Sequence, residues 1–437
     1  MGQSRFLFAG FVAVSLGAMP VAAQAQALPA DQNIYGDTNA LRGAMSAGDF
    51  ADKKPAQTSA RRRKADPYTI TGYDDGVFSL KPSLELSAVA SNNSTFTSGT
   101  RQAGVGYVVK PSINFATAWP VHQWTGTVAG NWTSFPTDTA IDGISGTATT
   151  NFRLDIRRSL YVNLEANAVV TESMPGQTQV PGNANSSRRD WIVSSRVGVT
   201  ADLGGFQSSA KFGVLRAAYG DVPLSTGAII SNSALNYIEP SVSLRGSFEH
   251  RHAAFKPYVE LSYMPRLHDV NGGQRNSQGA TAALGVTLDD GPIWQGDFAA
   301  VVMARQYNDP QLGTALNGGV NGNLTWSPTP NWSVVATSTV SLNETTLPGI
   351  GALPSWVFGI NATYAVRENL FLRTGVAVTL ASNGNGMDQT TAANAGADYM
   401  FTRHIGMTGT VQSTWINSSN SSSRNEQRVM LGVLLKP

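Results

Sequence analysis

The 437-residue chain contains no cysteine. Disulfides, thiolate metal ligands, thiol nucleophiles and a lipid-modified cysteine are thereby excluded, and the composition is compatible with an oxidising compartment. Charge is also scarce. Asp, Glu, Lys and Arg make up 14% of the residues, well below the quarter or so usual in soluble domains. Past the N-terminus no apolar run reaches the roughly 18 residues a membrane helix needs, and mean hydropathy is -0.13. A helical membrane bundle is therefore excluded. A net charge of +2 gives no basis for binding nucleic acid. A membrane β-barrel survives every one of these absences, because alternating strands average to neutral hydropathy.

What is abundant is small and uncharged: Gly, Ser, Thr and Asn, arranged with a period of two. In Thr363 to Leu380, Leu370, Leu372, Val376, Val378 and Leu380 share one parity, while Arg373, Gly375, Ala377 and Thr379 share the other. Successive side chains of a strand point to opposite faces, whereas a helix would repeat its apolar positions every three or four residues. Arg367, Glu368 and Asn369 form the turn before this run. The same sorting starts at Val77, with Phe78, Leu80, Leu84 and Leu86 against Ser79, Lys81, Ser83 and Glu85. It recurs in Val109 to Ala116, Tyr161 to Ala168, Ile238 to Phe248, Phe298 to Arg305, Trp332 to Asn343 and Gln427 to Leu435.

Two kinds of punctuation alternate between the runs. Short turns fall near Pro120, Arg158, Gly204, Arg251, Gly291, Pro328, Glu368 and Arg403. Looser stretches rich in Gly, Asn, Ser and Pro fall between them, among them Glu172 to Ser187, Asp221 to Ser233, Arg266 to Asn276 and Tyr307 to Thr314. Eight turns and nine loops join about eighteen strands. The fold class expected is all-β, a transmembrane antiparallel up-and-down β-barrel over residues 77–437. An even strand number brings both ends to the periplasmic side, with short turns there and longer loops outside. Closure leaves no unpaired strand edge in lipid.

Ahead of the barrel, residues 1–27 have the form of a secretory signal peptide. Arg5 supplies charge, Phe6 to Met19 an apolar core, and Ala23-Gln24-Ala25 a small-residue cleavage site. Residues 28–76 are too poor in apolar side chains for a core and read as a flexible periplasmic extension. Its basic run, Arg61 to Lys64, could meet anionic headgroups or a periplasmic export partner. The expected location is the bacterial outer membrane of a Gram-negative envelope.

With the apolar parity toward lipid, the nine tryptophans lie near strand ends, where aromatic girdles sit at headgroup level. The polar parity then faces the lumen. Its charged members, the candidate pore-lining residues, are Lys81, Glu85, Lys110, Arg153, Asp155, Glu165 and Arg196, continuing with Glu239, Arg245, Glu260, Asp297, Arg305, Arg373 and Asp398. Their signs nearly cancel, so charge alone sets no strong ion preference. His122, His250, His252, His268 and His404 fall in expected turns or loops, and no metal site is expected. Asn317 to Gly322 lacks the Lys-Ser/Thr of a phosphate loop. No serine is joined to a histidine by spacing, so no catalytic residue and no cofactor is assigned, and the protein is expected not to be an enzyme.

Asp66-Pro67-Tyr68, then Gly76-Val77-Phe78-Ser79-Leu80-Lys81-Pro82, and later Tyr237 to Gly246 and Lys256 to Glu260, resemble the outer-membrane proteins grouped as putative beta-barrel porin 2. The resemblance extends from Asp66 to the C-terminus. It implies a pore-like barrel in contact with outer-membrane lipid, and it implies association with exopolysaccharide export. It carries over no catalytic residue. One departure is the ending Lys436-Pro437, where many barrels end in an aromatic residue. The function expected is a channel for passive passage of hydrophilic solutes, polysaccharide included. The alternatives are a non-conducting barrel acting as adhesin or surface scaffold and, after it, an outer-membrane enzyme. Nothing in the sequence marks an oligomer interface.

Overall fold

The structure is a computed structural model. It describes residue 68 and residues 72–436, apart from 96–98, 138–141, 174, 176–179, 182–183, 249–253, 271, 291–292, 346, 348, 385 and 420–421. The expected signal peptide, the basic run and most of the extension lie outside the described residues, as do His250 and His252.

Alternating residues form strands throughout. In chain order they are β1 (Tyr73–Asp74), β2 (Phe78–Ser91), β3 (Gly104–Thr117), β4 (Gln123–Ser134), β5 (Gly143–Arg157), β6 (Leu160–Ser173) and β7 (Arg188–Asp202). Then come β8 (Phe206–Tyr219), the short β9 (Val222–Pro223) and β10 (Ile229–Ile230), β11 (Tyr237–Phe248), β12 (Phe255–His268), β13 (Ser277–Asp290) and β14 (Trp294–Tyr307). The last are β15 (Thr314–Trp326), β16 (Trp332–Glu344), β17 (Ala352–Arg367), β18 (Leu370–Ser382), β19 (Met387–Met400), β20 (Ile405–Asn417) and β21 (Arg424–Leu435). Among the described residues, helix is confined to single turns at Ser233–Leu235 and Gly272–Arg275.

The main sheet has nineteen strands, of which β1 is a two-residue flap, leaving an eighteen-strand wall. Each wall strand pairs antiparallel with its neighbours in the chain, β8 with β11 across the outer loop, and β21 with β2 from Leu84↔Leu435 to Ser91↔Arg428. The last pairing closes the barrel. β2 starts six residues before that seam begins, and β1 covers part of the exposed edge through Tyr73↔Leu80 and Asp74↔Ser79. Each of the eight expected turns and nine expected loops overlaps a break between consecutive wall strands, but several expected loops overrun the strand ends, as at Glu172, Arg266 and Tyr307.

The two parities separate as a barrel in lipid requires. Leu86, Val199, Leu244, Val259, Leu284, Ile360, Val376 and Leu431 are exposed on the outside, where the solvent is hydrocarbon. Aromatic residues mark both rims. At the turn end Trp294 stacks on Trp326 with centroids 5.6 Å apart, and Trp332 lies 4.7 Å from Tyr364. At the loop end Tyr107 meets Trp132 edge-on at 5.4 Å.

One pairing is cut short. β15 and β16 are in register only from Gly322↔Ser338 to Trp326↔Val334, although β15 stays paired with β14 to Thr314 and β16 with β17 to Glu344. Toward the loops, the tip of the β16–β17 hairpin leaves the wall and lies inside it. Arg266 of β12 donates to Glu344 of β16 at 2.6 Å, yet four strand spacings separate those strands along the wall, about 19 Å. Only a tip that folds inward over the inner face of β14 brings the two together. Val340 to Thr345 are buried on both parities, as expected of a segment covered on each side. Val340, Leu342 and Ala352 pack on Ala299, Val301, Met303 and Tyr307 of β14. Thus a lumen patch that would otherwise hold apolar side chains against water is roofed.

Candidate functional site

The lumen is the candidate site, and strand alternation positions its side chains. Every residue expected to line it lies on the inward parity, but in two different settings. Lys81, Glu85, Arg153, Asp155, Arg196, Arg245, Arg373 and Asp398 are half-buried. Lys110, Glu165, Glu239, Glu260, Asp297 and Arg305 are buried. The buried members are packed among neighbours instead of facing open water.

Opposite charges meet because antiparallel register sets them side by side. Lys110 and Glu85 are register partners and their side chains bond at 3.0 Å. Arg245 and Glu260 are likewise partners, 3.6 Å apart. Arg245 also reaches Asp297 at 2.8 Å, stacks 3.6 Å over the Tyr258 ring, and shares Asp297 with the Tyr258 and Thr287 hydroxyls. Nearer the turns, Arg373 bonds Asp398 at 2.7 Å and Thr408 at 3.2 Å. Arg153 bonds Asp155 at 2.8 Å and stacks over Tyr161. Removing a buried charge from water is offset only by such pairing and hydrogen bonding.

The densest network holds the hairpin tip. Glu239 accepts from Arg266 and, at 2.8 Å, from Arg305. Glu344 accepts from Arg266 and, at 3.2 Å, from the Tyr307 hydroxyl, with His268 Nε2 at 3.6 Å and Arg275 at 3.8 Å. Beside it is a cavity of ≈ 10 Å³ lined by Glu239, Arg266, Arg305, Thr281, Met303 and Leu342, room for about one water. Glycine permits the approach. A Cβ on Gly351 would lie 2.3 Å from the Tyr307 ring, and one on Gly319 would lie 2.7 Å from Val340.

Side chains replace the missing β15–β16 ladder. Val340 N donates to Asn321 Oδ1 at 2.6 Å, Asn317 Nδ2 to the Ser341 carbonyl at 2.7 Å, and Trp356 Nε1 to the Gly318 carbonyl at 2.9 Å. Val340 N, the Ser341 carbonyl and the Gly318 carbonyl thereby keep partners, as buried backbone groups require.

Three members of this network differ from the sequence expectation. Arg266, His268 and Tyr307 were expected in loops, but β12 runs to His268 and β14 to Tyr307, so all three point inward. The parity of Tyr258, Glu260, Ser262 and Met264, continued for two steps, contains the signal for Arg266 and His268. Gly, Asn and Asp beyond them drew the boundary too early. Glu344 lay one residue past the expected end of its strand, and nothing local marks its partners. Outside the barrel wall, Asp269 is held below the ordinary carboxylate value by its hydrogen bond to Arg216. Among the described residues no group of three or more His, Cys, Asp or Glu could hold a metal ion.

A closed eighteen-strand wall, apolar outside and ion-paired within, defines a porin-like outer-membrane barrel. The chain belongs to the family described as Putative beta-barrel porin 2, whose profile matches residues 66–437. A search of curated proteins found no match. Among solved structures it is similar to OccK9 (OpdG) of Pseudomonas aeruginosa at 11% identity, covering 82% of this chain and 98% of that one with a TM-score of 0.41. It is also similar to a BenF-like porin from Pseudomonas fluorescens at 9% identity, covering 82% and 99% with a TM-score of 0.42. The barrel lies in the bacterial outer membrane, in contact with its lipid.

Proposed function

We propose that this protein passes small hydrophilic solutes passively across the outer membrane. The observation that carries the proposal is the sorting of charge: inward positions hold ion-paired Lys, Arg, Asp and Glu among Ser, Thr and Asn, and outward positions hold apolar side chains. Such a wall wets a lumen without trapping a solute of either sign. The half-buried residues Lys81, Glu85, Arg153, Asp155, Arg196, Arg245, Arg373 and Asp398 are the proposed solute contacts. The buried set from Lys110 to Arg305 holds the wall together.

The hairpin tip narrows the outer half of the lumen, which favours small solutes over a polymer. No observation supports a polysaccharide, an export partner, an adhesive role or catalysis in preference to this reading. Purified protein in planar bilayers should give discrete conductance steps with a reversal potential near zero in a potassium chloride gradient. Absence of steps at every voltage and salt concentration would reject it.

A further inference from the structure

We propose that the tip of the β16–β17 hairpin is a gate, and that its open position is in the barrel wall beside β15, along the edge that Asn317, Asn321 and Trp356 now bridge. This inference rests on the channel reading. Continuing the β15–β16 register beyond Gly322↔Ser338, one residue at a time, sets Asn321 opposite Thr339, Val320 opposite Val340, Gly318 opposite Leu342 and Leu316 opposite Glu344. Nothing in these sequences forbids that ladder, since neither segment contains proline or an inserted residue.

The side-chain pattern suits the same move. Trp332, Val340, Leu342 and Glu344 share a parity, and Trp332 faces outward. Zipped into the wall, Val340 and Leu342 would meet lipid beside Val320, which is already exposed there. Ser341 and Asn343 would face the lumen, and Glu344 would reach the loop rim. The segment thus carries the alternation of a wall strand while sitting inside the barrel. In its present position the same Val340 and Leu342 cover Ala299, Val301 and Met303, and Glu344 is latched by Arg266 and Tyr307. Each position gives Val340 and Leu342 an apolar setting, against Ala299, Val301 and Met303 in one and lipid in the other, and gives their backbone partners, through asparagine bridges in one and a ladder in the other. The open one uncovers Ala299, Val301 and Met303, which favours the closed one. Two discrete packings of this kind make a switch in place of a continuous flexure.

Release of the tip would require Glu344 to leave its cations and Trp356 to leave the Gly318 carbonyl. It would widen the loop half of the lumen by the thickness of the tip. The occupied latch makes the narrowed state the resting one.

The chain has no cysteine, so introduced thiols report without background. In Gly318→Cys/Leu342→Cys the two residues would be register partners in the zipped wall, where paired Cα atoms lie about 4.5–5.5 Å apart, within disulfide range. Oxidation should form the bond and raise single-channel conductance severalfold, and dithiothreitol should reverse it. Separately, Met303→Cys, roofed by the tip, should react slowly with a membrane-impermeant maleimide. Adding Glu344→Gln should speed that labelling at least tenfold. Conducting channels with equal steps in oxidised and reduced protein, together with labelling unaffected by Glu344→Gln, would overturn the gate. Silence of the wild type and of every variant would instead fail the channel reading, while labelling would still report on the tip.

Discussion

Val376→Arg tests which face of the wall meets lipid. Val376 is the middle residue of the 13-residue β18 and is exposed on the outside between Ile360 of β17 and Ala393 of β19. At about 3.3 Å per residue and a tilt near 40°, β18 rises roughly 33 Å, so either membrane surface is about 15 Å from Val376. That is too far for an arginine to carry its charge into the headgroups by snorkelling. A midplane arginine on a barrel's lipid face costs about 2–4 kcal/mol, roughly 30- to 700-fold in the folding equilibrium at about 1.4 kcal/mol per decade. Leu372→Arg provides the control: it is on the same outward face but two residues from the turn, where the cost falls to about 0–1 kcal/mol. Urea titrations of protein folded into vesicles, followed by tryptophan fluorescence and heat-modifiable electrophoretic mobility, measure both. Equal losses, or a neutral Val376→Arg, would refute the facing and with it the assignment of the opposite parity to the lumen.

Other outcomes follow from the same geometry. Arg245→Met strands Glu260 and Asp297 inside the wall and should cost about 3–5 kcal/mol in the same titration; a loss below about 1 kcal/mol would mean that these charges see open water. A double-mutant cycle replacing Trp294 and Trp326 with leucine should give a coupling of about 0.5–1.5 kcal/mol for the stacked pair at the turn-side rim, and zero coupling would remove it from the girdle's energetics. The Arg216–Asp269 clamp has a sign fixed by titration. Because Asp269 is depressed in the folded protein, its contribution is present above the ordinary carboxylate value and is lost as pH falls through the lowered one. Both partners are more than one-third exposed, so Asp269→Asn should shift stability by no more than about 1 kcal/mol, and should abolish the acid-induced increase in proteolysis of the loop at 269–276.

The wall was legible residue by residue. Hydrophobic alternation at Leu372, Val376 and Leu431 is a local property, since a strand's facing depends only on parity. Turn chemistry at Arg158 and Glu368 is equally local. The charge pairs were legible as a face but not as partners: Arg245 and Glu260 come together through register, whereas Arg245 and Asp297 come together through curvature across two further strands. Thr379 shows the limit from another side. Its parity places it inward, yet it is buried, not wet, and burial depends on surrounding neighbours that parity does not give.

By itself the sequence determined the period of two, the count of strands, the outward face and the alternation of short turns with longer loops. Each follows from interactions between a side chain and its solvent or its immediate neighbours. Only the tertiary structure decided that the β16–β17 tip leaves the wall. Val340 and Leu342 satisfy the rule for a lipid-facing strand and the rule for a packed lumen equally well. The choice rests on Glu344 meeting Arg266 and His268 of β12, four strands away, and Arg275 of the loop after it, a contact that no local pattern encodes.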